Sequence, residues 1–337
     1  PSALNSAFAQ WLNGQRLVKP TIPLNIFFVA YNAAANIVLV HGIPGWFDGL
    51  GFIGSPLATA STKIIRGIAI FVYIVYIRGL HKNCWHPWTW EALSRERLSR
   101  FFAQSIPSAL IGVVEQAQFV VITLFVASLG TSELDAHTGM LNVFMFVTCG
   151  MYGLTDAGAS TIGGHLGATR PEVAKKAAKA LIYCMMSVGI VIAIFFAATQ
   201  TVIGHVFSQD HDVIKWASKL GAFCGAAYFL LSVTFACFGI LQGQARPHVA
   251  ALSMFAGLWG LSVPTAYLFG FVWPTHHGFG LLGVWTGLTT GYSAMTLVML
   301  YFVFRSDWVQ FAKDALKRSE ADKKVGLSNS DDDNEDV

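Results

Sequence analysis

Long apolar runs, separated by short polar connections, dominate this chain. Eight runs can be delimited, most of them without an amphipathic stripe, at about 21–43, 56–78, 103–128, 137–163, 178–204, 213–242, 249–273 and 280–304. A run of about 18 or more apolar residues is long enough to cross a bilayer as a helix. The pattern therefore predicts an all-α polytopic membrane protein with eight visible spans.

The composition supports this prediction. Hydrophobic residues make up 54% of the 337 residues and charged residues only 12%, whereas a soluble domain carries about 25% charged residues. The 32 glycines suit helices that approach each other closely. The five cysteines (84, 149, 184, 224 and 237) lie in spans or in a connection that the basic residues, described next, assign to the cytoplasm. No disulfide framework is therefore indicated.

Basic residues concentrate in alternate connections. Eighteen of the 22 lie near residues 16–19, in 78–100, in 170–179, at 246 and after 304, whereas the connections 44–55, 129–136, 205–212 and 274–279 contain none. Positive charge is retained on the cytoplasmic side. We therefore expect both ends of this chain in the cytoplasm. The sequence does not distinguish a plasma membrane from a vacuolar membrane.

Two glycine motifs, GLGFIG at 49–54 and GFGLLG at 278–283, have the spacing of a dinucleotide-binding loop. Such a loop also needs a preceding strand and an acidic residue about twenty positions later, and both features are missing here. The motifs lie 229 residues apart, as do LNGQ at 12–15 and LQGQ at 241–244. They therefore indicate a parallel internal repeat, in which the glycines serve turns between spans.

The repeat predicts the domain organisation. Residues 1–78 match the second part of the later unit, so we expect them to be the end of an N-terminal lobe. Residues 79–102 would connect it to a six-helix C-terminal lobe at 103–304, and 305–337 would form a cytoplasmic tail that is disordered and acidic at its end. About 130 residues would then precede Pro1; a native eight-helix protein is the alternative.

Three segments resemble a known family: EQAQFVV at 115–121, GLTDAGASTIGGHLGATRPEVAKKAAKA at 153–180, and GILQGQARPHVAALSMFAGLWGLSVP at 239–264. They are similar to segments of the multidrug and toxic compound extrusion (MATE) family. The resemblance implies that the eight spans match helices five to twelve of a two-lobe, 6+6 antiporter. It also implies export of organic compounds, xenobiotics or metabolites, in exchange for H⁺ or Na⁺ by alternating access.

Glu115 is the leading candidate for ion coupling. It lies near the middle of its span, where desolvation penalises a charged carboxylate, so that it could gain and lose a proton during transport. The resemblance assigns the same coupling role to this glutamate. The alternative is a hydrogen-bonded structural residue. Asp156, nearer the cytoplasmic end of its span, is either a second coupling carboxylate or a solvated residue of a vestibule.

Departures from the family favour H⁺ over Na⁺. Two acidic residues found in many members correspond here to Val120 and Leu231, and the eighth-helix acid of animal relatives corresponds to Asn142. A high-affinity Na⁺ site is less plausible with fewer anionic groups. Asn142 could still contact a substrate or ion. Gln118 is a further candidate for substrate binding.

Lys63 and Arg66 lie three residues apart, on one helical face within a span. Their charged groups either extend to the membrane interface or line a cavity that favours an anionic substrate. Asn32 and Asn36 lie on one face of the preceding span. They either bind a substrate or form a hydrogen bond with a neighbouring helix.

Other functional classes find less support. His81, Cys84 and His86 have no fourth metal ligand at the usual spacing, and no set of catalytic residues is recognisable, so we expect neither an enzyme nor a cofactor. The runner-up is a lipid or polymer flippase of the same architecture, for which Lys63 and Arg66 are the only hint. The expected partners are a small organic substrate and the bilayer, without nucleic acid, and we expect a monomer.

Overall fold

A computed structural model describes residues 2–14, 21–80, 93–273, 278–318 and 320, and throughout these ranges every regular element is helical. Eight helical segments are long and apolar enough to cross a membrane: Ile22–His41, Gly51–Ile77, Arg97–Ala127, Thr131–Gly167, Pro171–Thr199, Phe223–Gly243, Pro247–Val272 and Gly280–Phe304. The predicted fold class and number of spans are therefore confirmed. The chain divides into two compact units, Pro1–Ser94 and Arg95–Val337.

The first unit contains three helices: α1 (Ser2–Gly14), α2 (Thr21–His41) and α3 (Gly54–Val72), which continues as a π-helical turn over Tyr73–Ile77. Its small core is formed by Leu12, Ile70 and Ile74, all nearly fully buried. The Asn5 side chain donates a 2.8 Å hydrogen bond to the Lys63 carbonyl and so joins α1 to α3.

The second unit contains the remaining helices, which we number α4 (Arg95–Ala127), α5 (Thr131–Gly167), α6 (Pro171–Thr199), α7 (His211–Gly243), α8 (Pro247–Met254), α9 (Val263–Tyr267) and α10 (Gly280–Phe304). Tyr228 of α7 lies in its core. The Tyr228 hydroxyl donates a 2.6 Å hydrogen bond to the Phe144 carbonyl, and its ring stacks on Phe196 with 5.1 Å between centroids. These contacts join α5, α6 and α7.

The α8–α9 segment is one span interrupted by π-helical stretches at Phe255–Ser262 and Leu268–Val272. Glycines of α10 allow α10 and the α8–α9 segment to come into close contact. A Cβ at Gly287 would overlap the backbone of Ala266, and one at Gly291 would overlap Ser262. Small residues here allow backbones to approach, as expected for helices that pack in lipid.

The two glycine motifs form the same kind of turn. Gly49 and Gly278, equivalent in the repeat, have φ angles of 72° and 59°, and Gly51 and Gly280 have 56° and 58°. L-residues with side chains rarely adopt these angles. The interpretation of the glycines as turn residues is therefore confirmed, and the matching angles support the internal repeat.

The second unit also contains a short helix at 308–318. Asp307 accepts backbone hydrogen bonds from Val309 and Gln310 at the start of this helix, as N-cap residues do. The Arg246 guanidinium lies over the Phe311 ring, 5.1 Å from its centroid. The acidic tail at 321–337 and half of the predicted connection at 79–102 lie outside the described residues, so the domain boundaries stay predictions.

Candidate functional site

Glu115 of α4 is partly buried inside the second unit and faces two tyrosines. Tyr152 of α5 lies close enough to Glu115 to interact with it electrostatically. Tyr292 of α10 is buried and close enough to interact electrostatically with both groups. Side chains of α5 and α10 thus lie near the carboxyl group of α4 that is predicted to couple ion flow.

Two hydrogen bonds fix this part of α4 against the π-helical stretch of the α8–α9 segment. The Trp259 indole donates to the Val114 carbonyl at 3.1 Å, and the Gln118 amide donates to the Ser262 hydroxyl at 3.2 Å. Val114 precedes Glu115 and Gln118 follows it by one turn, so both sides of the carboxyl are anchored. π-Helical stretches often occur at functional sites.

Gln118 also has an unused acceptor. The residue is fully buried, yet its carbonyl oxygen has no hydrogen-bond partner among the described residues. An unpaired buried polar atom costs about 1–3 kcal/mol, so a bound water or a substrate donor would stabilise it. Gln118 is therefore well placed for its predicted contact with a substrate, although such a contact stays a prediction.

The surface beside Glu115 is open. Cβ atoms built at Gly112 on α4, and at Gly150 and Gly153 on α5, would meet no atom within 4 Å. Gly112 lies one turn from Glu115, and the other two glycines flank Tyr152. Free space therefore exists at these three positions on α4 and α5.

Asp156 and Asn142 both lie on α5 with exposed side chains. Asp156 is one turn from Tyr152 on the same helical face. This position is compatible with a second coupling carboxylate and with a solvated residue of a vestibule. Neither Asp156 nor Asn142 has a recorded contact with Glu115 in the described part of the chain. Their proposed roles in coupling and substrate binding stay predictions.

In the first unit, Asn32 and Asn36 have partners within the protein. The Asn32 amide donates to the Thr62 hydroxyl on α3 at 3.1 Å, and the Asn36 amide donates to the Asn32 carbonyl at 2.9 Å. These contacts are those expected of residues that connect neighbouring helices. A substrate contact for either residue stays a prediction.

Lys63 and Arg66 differ in their surroundings. Lys63 is exposed and lines a cavity of about 350 Å³ with apolar residues of α1 and α3, namely Leu4, Phe8, Ile64, Ile68 and Phe71. Arg66 is partly buried, and its Nε atom has no hydrogen-bond partner in the described ranges. The wall of the cavity is almost entirely apolar, and Lys63 is the one lining residue with a charged side chain.

His137 is a buried polar residue that the sequence analysis missed. The Trp285 indole of α10 donates to His137 Nδ1 at 3.2 Å, and His137 Nε2 lies 3.2 Å from the Thr123 hydroxyl of α4. The Thr123 hydroxyl itself donates to the Phe119 carbonyl. The network therefore requires a neutral imidazole with its proton on Nε2. A lone histidine in an apolar run provides no sequence signal for such a network.

We expect His137→Leu to destabilise the second unit by about 1–3 kcal/mol, because it leaves the buried Trp285 N–H without an acceptor. Thermal unfolding of the detergent-solubilised protein measures this loss. His205→Leu is the control, since that side chain is exposed, and it should change stability by less than about 0.5 kcal/mol. Equal stability of the two variants would contradict the assigned role.

Metal binding receives no support from the described residues, among which no group of three His, Cys, Asp or Glu side chains converges. His81, Cys84 and His86 lie outside them. The four described cysteines, Cys149, Cys184, Cys224 and Cys237, are free thiols.

Comparisons with known proteins agree with this architecture. The MatE family model matches residues 107–268. Multidrug and toxin extrusion protein 1 of Xenopus tropicalis is 26% identical over 323 residues, which cover 94% of this chain and 54% of the relative. Multidrug and toxin extrusion protein 2 of Mus musculus is 22% identical over 322 residues, which cover 94% of this chain and 54% of the relative. The chain thus spans about half the length of these relatives.

Solved structures share the fold. The eukaryotic MATE transporter AtDTX14 has a TM-score of 0.79 at 19% identity, over 92% of this chain and 67% of that one. A transporter from Pyrococcus furiosus has a TM-score of 0.78 at 16% identity, over 92% of this chain and 66% of that transporter. The fold and the membrane-spanning helices define a multi-pass integral membrane protein with a transporter architecture. The chain is similar to the MatE family over residues 107–268 and to multidrug and toxin extrusion proteins over most of its length.

Proposed function

We propose that the chain is part of a secondary antiporter that exports organic compounds in exchange for H⁺ by alternating access. The observation that carries this proposal is the position of Glu115, a partly buried ionisable group among apolar helices with Tyr152 nearby. Ionisable residues within membrane spans commonly mark ion pathways. Proton binding changes the balance between the inward-open and outward-open states only as far as the proton affinities of the two states differ.

The names of the relatives support the class of substrate. They are multidrug and toxin extrusion proteins, which favours export of small organic molecules over the flippase alternative. The distribution of basic residues supports a cytoplasmic location for both ends of this chain. Export would then run from that side to the opposite one.

The residues around Glu115 favour H⁺ over Na⁺. Sodium binding with useful affinity needs several oxygen ligands, and the family's further carboxylates correspond here to Val120, which is exposed, and Leu231, which is buried. A single carboxylate is sufficient to bind one proton. Na⁺ coupling would require ligands from elsewhere, with Asp156 the nearest candidate in sequence.

The proposal is tested with the protein expressed from its complete open reading frame and reconstituted into vesicles. An imposed pH gradient should drive transport of a fluorescent organic cation, and a proton ionophore should stop it. A Na⁺ gradient without a pH gradient should have little effect. Transport that follows the Na⁺ gradient alone would contradict H⁺ coupling.

An anionic substrate is a second candidate, supported by Lys63 in its apolar cavity and by the unpaired Arg66 Nε. The Pyrococcus furiosus transporter is described as having a binding pocket of reverse polarity that suggests a different function. If the substrate is anionic, Lys63→Gln should reduce uptake of an organic anion about tenfold, as expected for the loss of a charged contact. Lys219→Gln, on the exposed surface of α7, is the control.

A further inference from the structure

The 308–318 helix follows the last span almost immediately. α10 ends at Phe304, and only residues 305–307 separate it from this helix. Because α10 is long and apolar enough to cross a membrane, chain continuity places the 308–318 helix at the boundary between bilayer and water. The Arg305 guanidinium lies over the Tyr301 ring there, 5.2 Å from its centroid, and aromatic and basic side chains are enriched at such boundaries.

One face of the 308–318 helix is fixed to the second unit. Its residues belong to the hydrophobic core of that unit or pack against it, at the spacing of a single helical face: Trp308, Phe311, Ala312 and Ala315. The Arg246 guanidinium lies over the Phe302 ring of α10, 5.8 Å from its centroid, as well as over Phe311. These contacts set the rotation of the helix about its own axis.

A second face of the helix is exposed and combines apolar with basic side chains. Val309 and Leu316 are 51% and 41% exposed, and the side chains of Lys313 and Lys317 are also exposed. Positions 309, 313, 316 and 317 have the spacing of one helical face. No ion pair of either lysine is recorded within the described ranges. This apolar and basic face, defined by Val309, Lys313, Leu316 and Lys317, is therefore without a charged partner in the described part of the protein.

A third face of the helix is polar and suits water. The Gln310 amide donates to the Asp314 carboxylate at 3.0 Å, so the acidic group within this helix is held by a neighbour one turn away. At about 100° per residue, positions 310 and 314 lie on the side opposite the one that packs on the protein. The three faces thus have three distinct surroundings: the protein, water, and a surface that is both apolar and anionic.

We propose that the apolar and basic face of the 308–318 helix binds the surface of the bilayer. The Val309 and Leu316 side chains insert among lipid chains, and the ammonium groups of Lys313 and Lys317 contact the phosphates of anionic lipids. Helices with one apolar and one charged face lie in the membrane interface in this way, and long lysine side chains reach the headgroups while their stems stay in apolar surroundings. The inference depends on the fold alone and is independent of the proposed transport function.

The acidic residues at 331–336 are the competing occupant of this face, since they also carry negative charge. That segment, DDDNED, contains no apolar side chain, so it would leave Val309 and Leu316 in contact with water. A lipid surface covers both kinds of side chain at once. Anionic lipids are also concentrated in the cytoplasmic leaflet, which lies on the side to which the basic connections assign this helix.

The test measures hydrogen–deuterium exchange of the backbone amides at 308–318 by mass spectrometry. The protein, expressed from its complete open reading frame, is placed in nanodiscs of phosphatidylcholine alone or of phosphatidylcholine mixed with anionic phosphatidylglycerol. We expect Lys313→Gln combined with Lys317→Gln to exchange about twentyfold faster than wild type in the anionic bilayer, since each basic residue near an anionic surface changes the equilibrium about fivefold. In the neutral bilayer the two proteins should exchange at equal rates.

Lys175→Gln combined with Lys179→Gln is the matched control. These lysines are exposed on α6 with the same spacing of four residues, and their loss should leave exchange at 308–318 unchanged. Val309→Ser combined with Leu316→Ser should speed exchange in both bilayers, because it removes the apolar anchors.

Three results would overturn the inference. The first is wild-type exchange that is equal in neutral and anionic bilayers. The second is faster exchange of the Lys313→Gln, Lys317→Gln protein in both bilayers, which indicates a loss of helix stability alone. The third is protection that is independent of lipid charge and disappears when the acids at 331–336 are replaced by their amides, which assigns the face to the acidic tail.

Discussion

Replacement of Glu115 by Gln is expected to reduce transport driven by a pH gradient to the level of empty vesicles. Gln has nearly the same shape as Glu, but it cannot bind and release a proton at physiological pH. The protein should therefore fold with unchanged thermal stability while coupling is lost. Flux of a fluorescent organic cation in reconstituted vesicles, compared with thermal unfolding of the same preparation, measures both properties.

Glu133→Gln is the matched control for this prediction. Glu133 lies in the first turn of α5, away from Tyr152 in the chain, and its neutralisation should leave gradient-driven flux intact. Undiminished flux in Glu115→Gln would remove Glu115 from the coupling mechanism. Asp156 would then be the next carboxylate to test.

Gly287→Ala is expected to cause the largest loss of stability among the substitutions considered. The added methyl group would overlap backbone atoms of Ala266 and Thr265, which cannot rotate away as a side chain can. Overpacking in a dense core costs typically about 1–3 kcal/mol, and we expect this variant at the upper end or above. The readout is the unfolding temperature in detergent, together with the yield of monodisperse protein.

Gly260→Ala provides the comparison on the opposite segment. A Cβ at Gly260 would meet no atom within 4 Å, and Ala is favoured over Gly in helices by up to about 1 kcal/mol. This variant should therefore be as stable as the parent protein or slightly more stable. A Gly287→Ala protein with unchanged unfolding temperature would contradict the close packing of α10 against the α8–α9 segment.

The membrane fold could be predicted because it depends on the length of apolar runs, which one sequence displays directly. Glycines at 49–54 and 278–283 were correctly interpreted as turn residues because the strand and acidic residue of a nucleotide site were missing. Helix ends were less accurate. α5 begins at Thr131 and ends at Gly167, beyond the predicted 137–163, because helices continue outside the hydrocarbon region where side chains become polar.

The candidate site was only partly predictable. Glu115 could be recognised because a carboxylate is rare in an apolar run. Tyr152 and Tyr292 give no comparable signal, and His137 lies at the edge of its predicted span. Which of these side chains come close to one another depends on how each helix is rotated about its axis, which tertiary packing decides and sequence spacing does not reveal.

The most direct test of proton-coupled export is to measure proton movement that substrate itself causes. Vesicles with a trapped pH-sensitive dye and no imposed gradient would contain either the wild-type protein or Glu115→Gln, each expressed from its complete open reading frame. We predict that adding an organic cation outside changes the internal pH for wild type, as protons leave in exchange, and does not do so for Glu115→Gln. Substrate uptake by wild type without any change in internal pH would contradict the account.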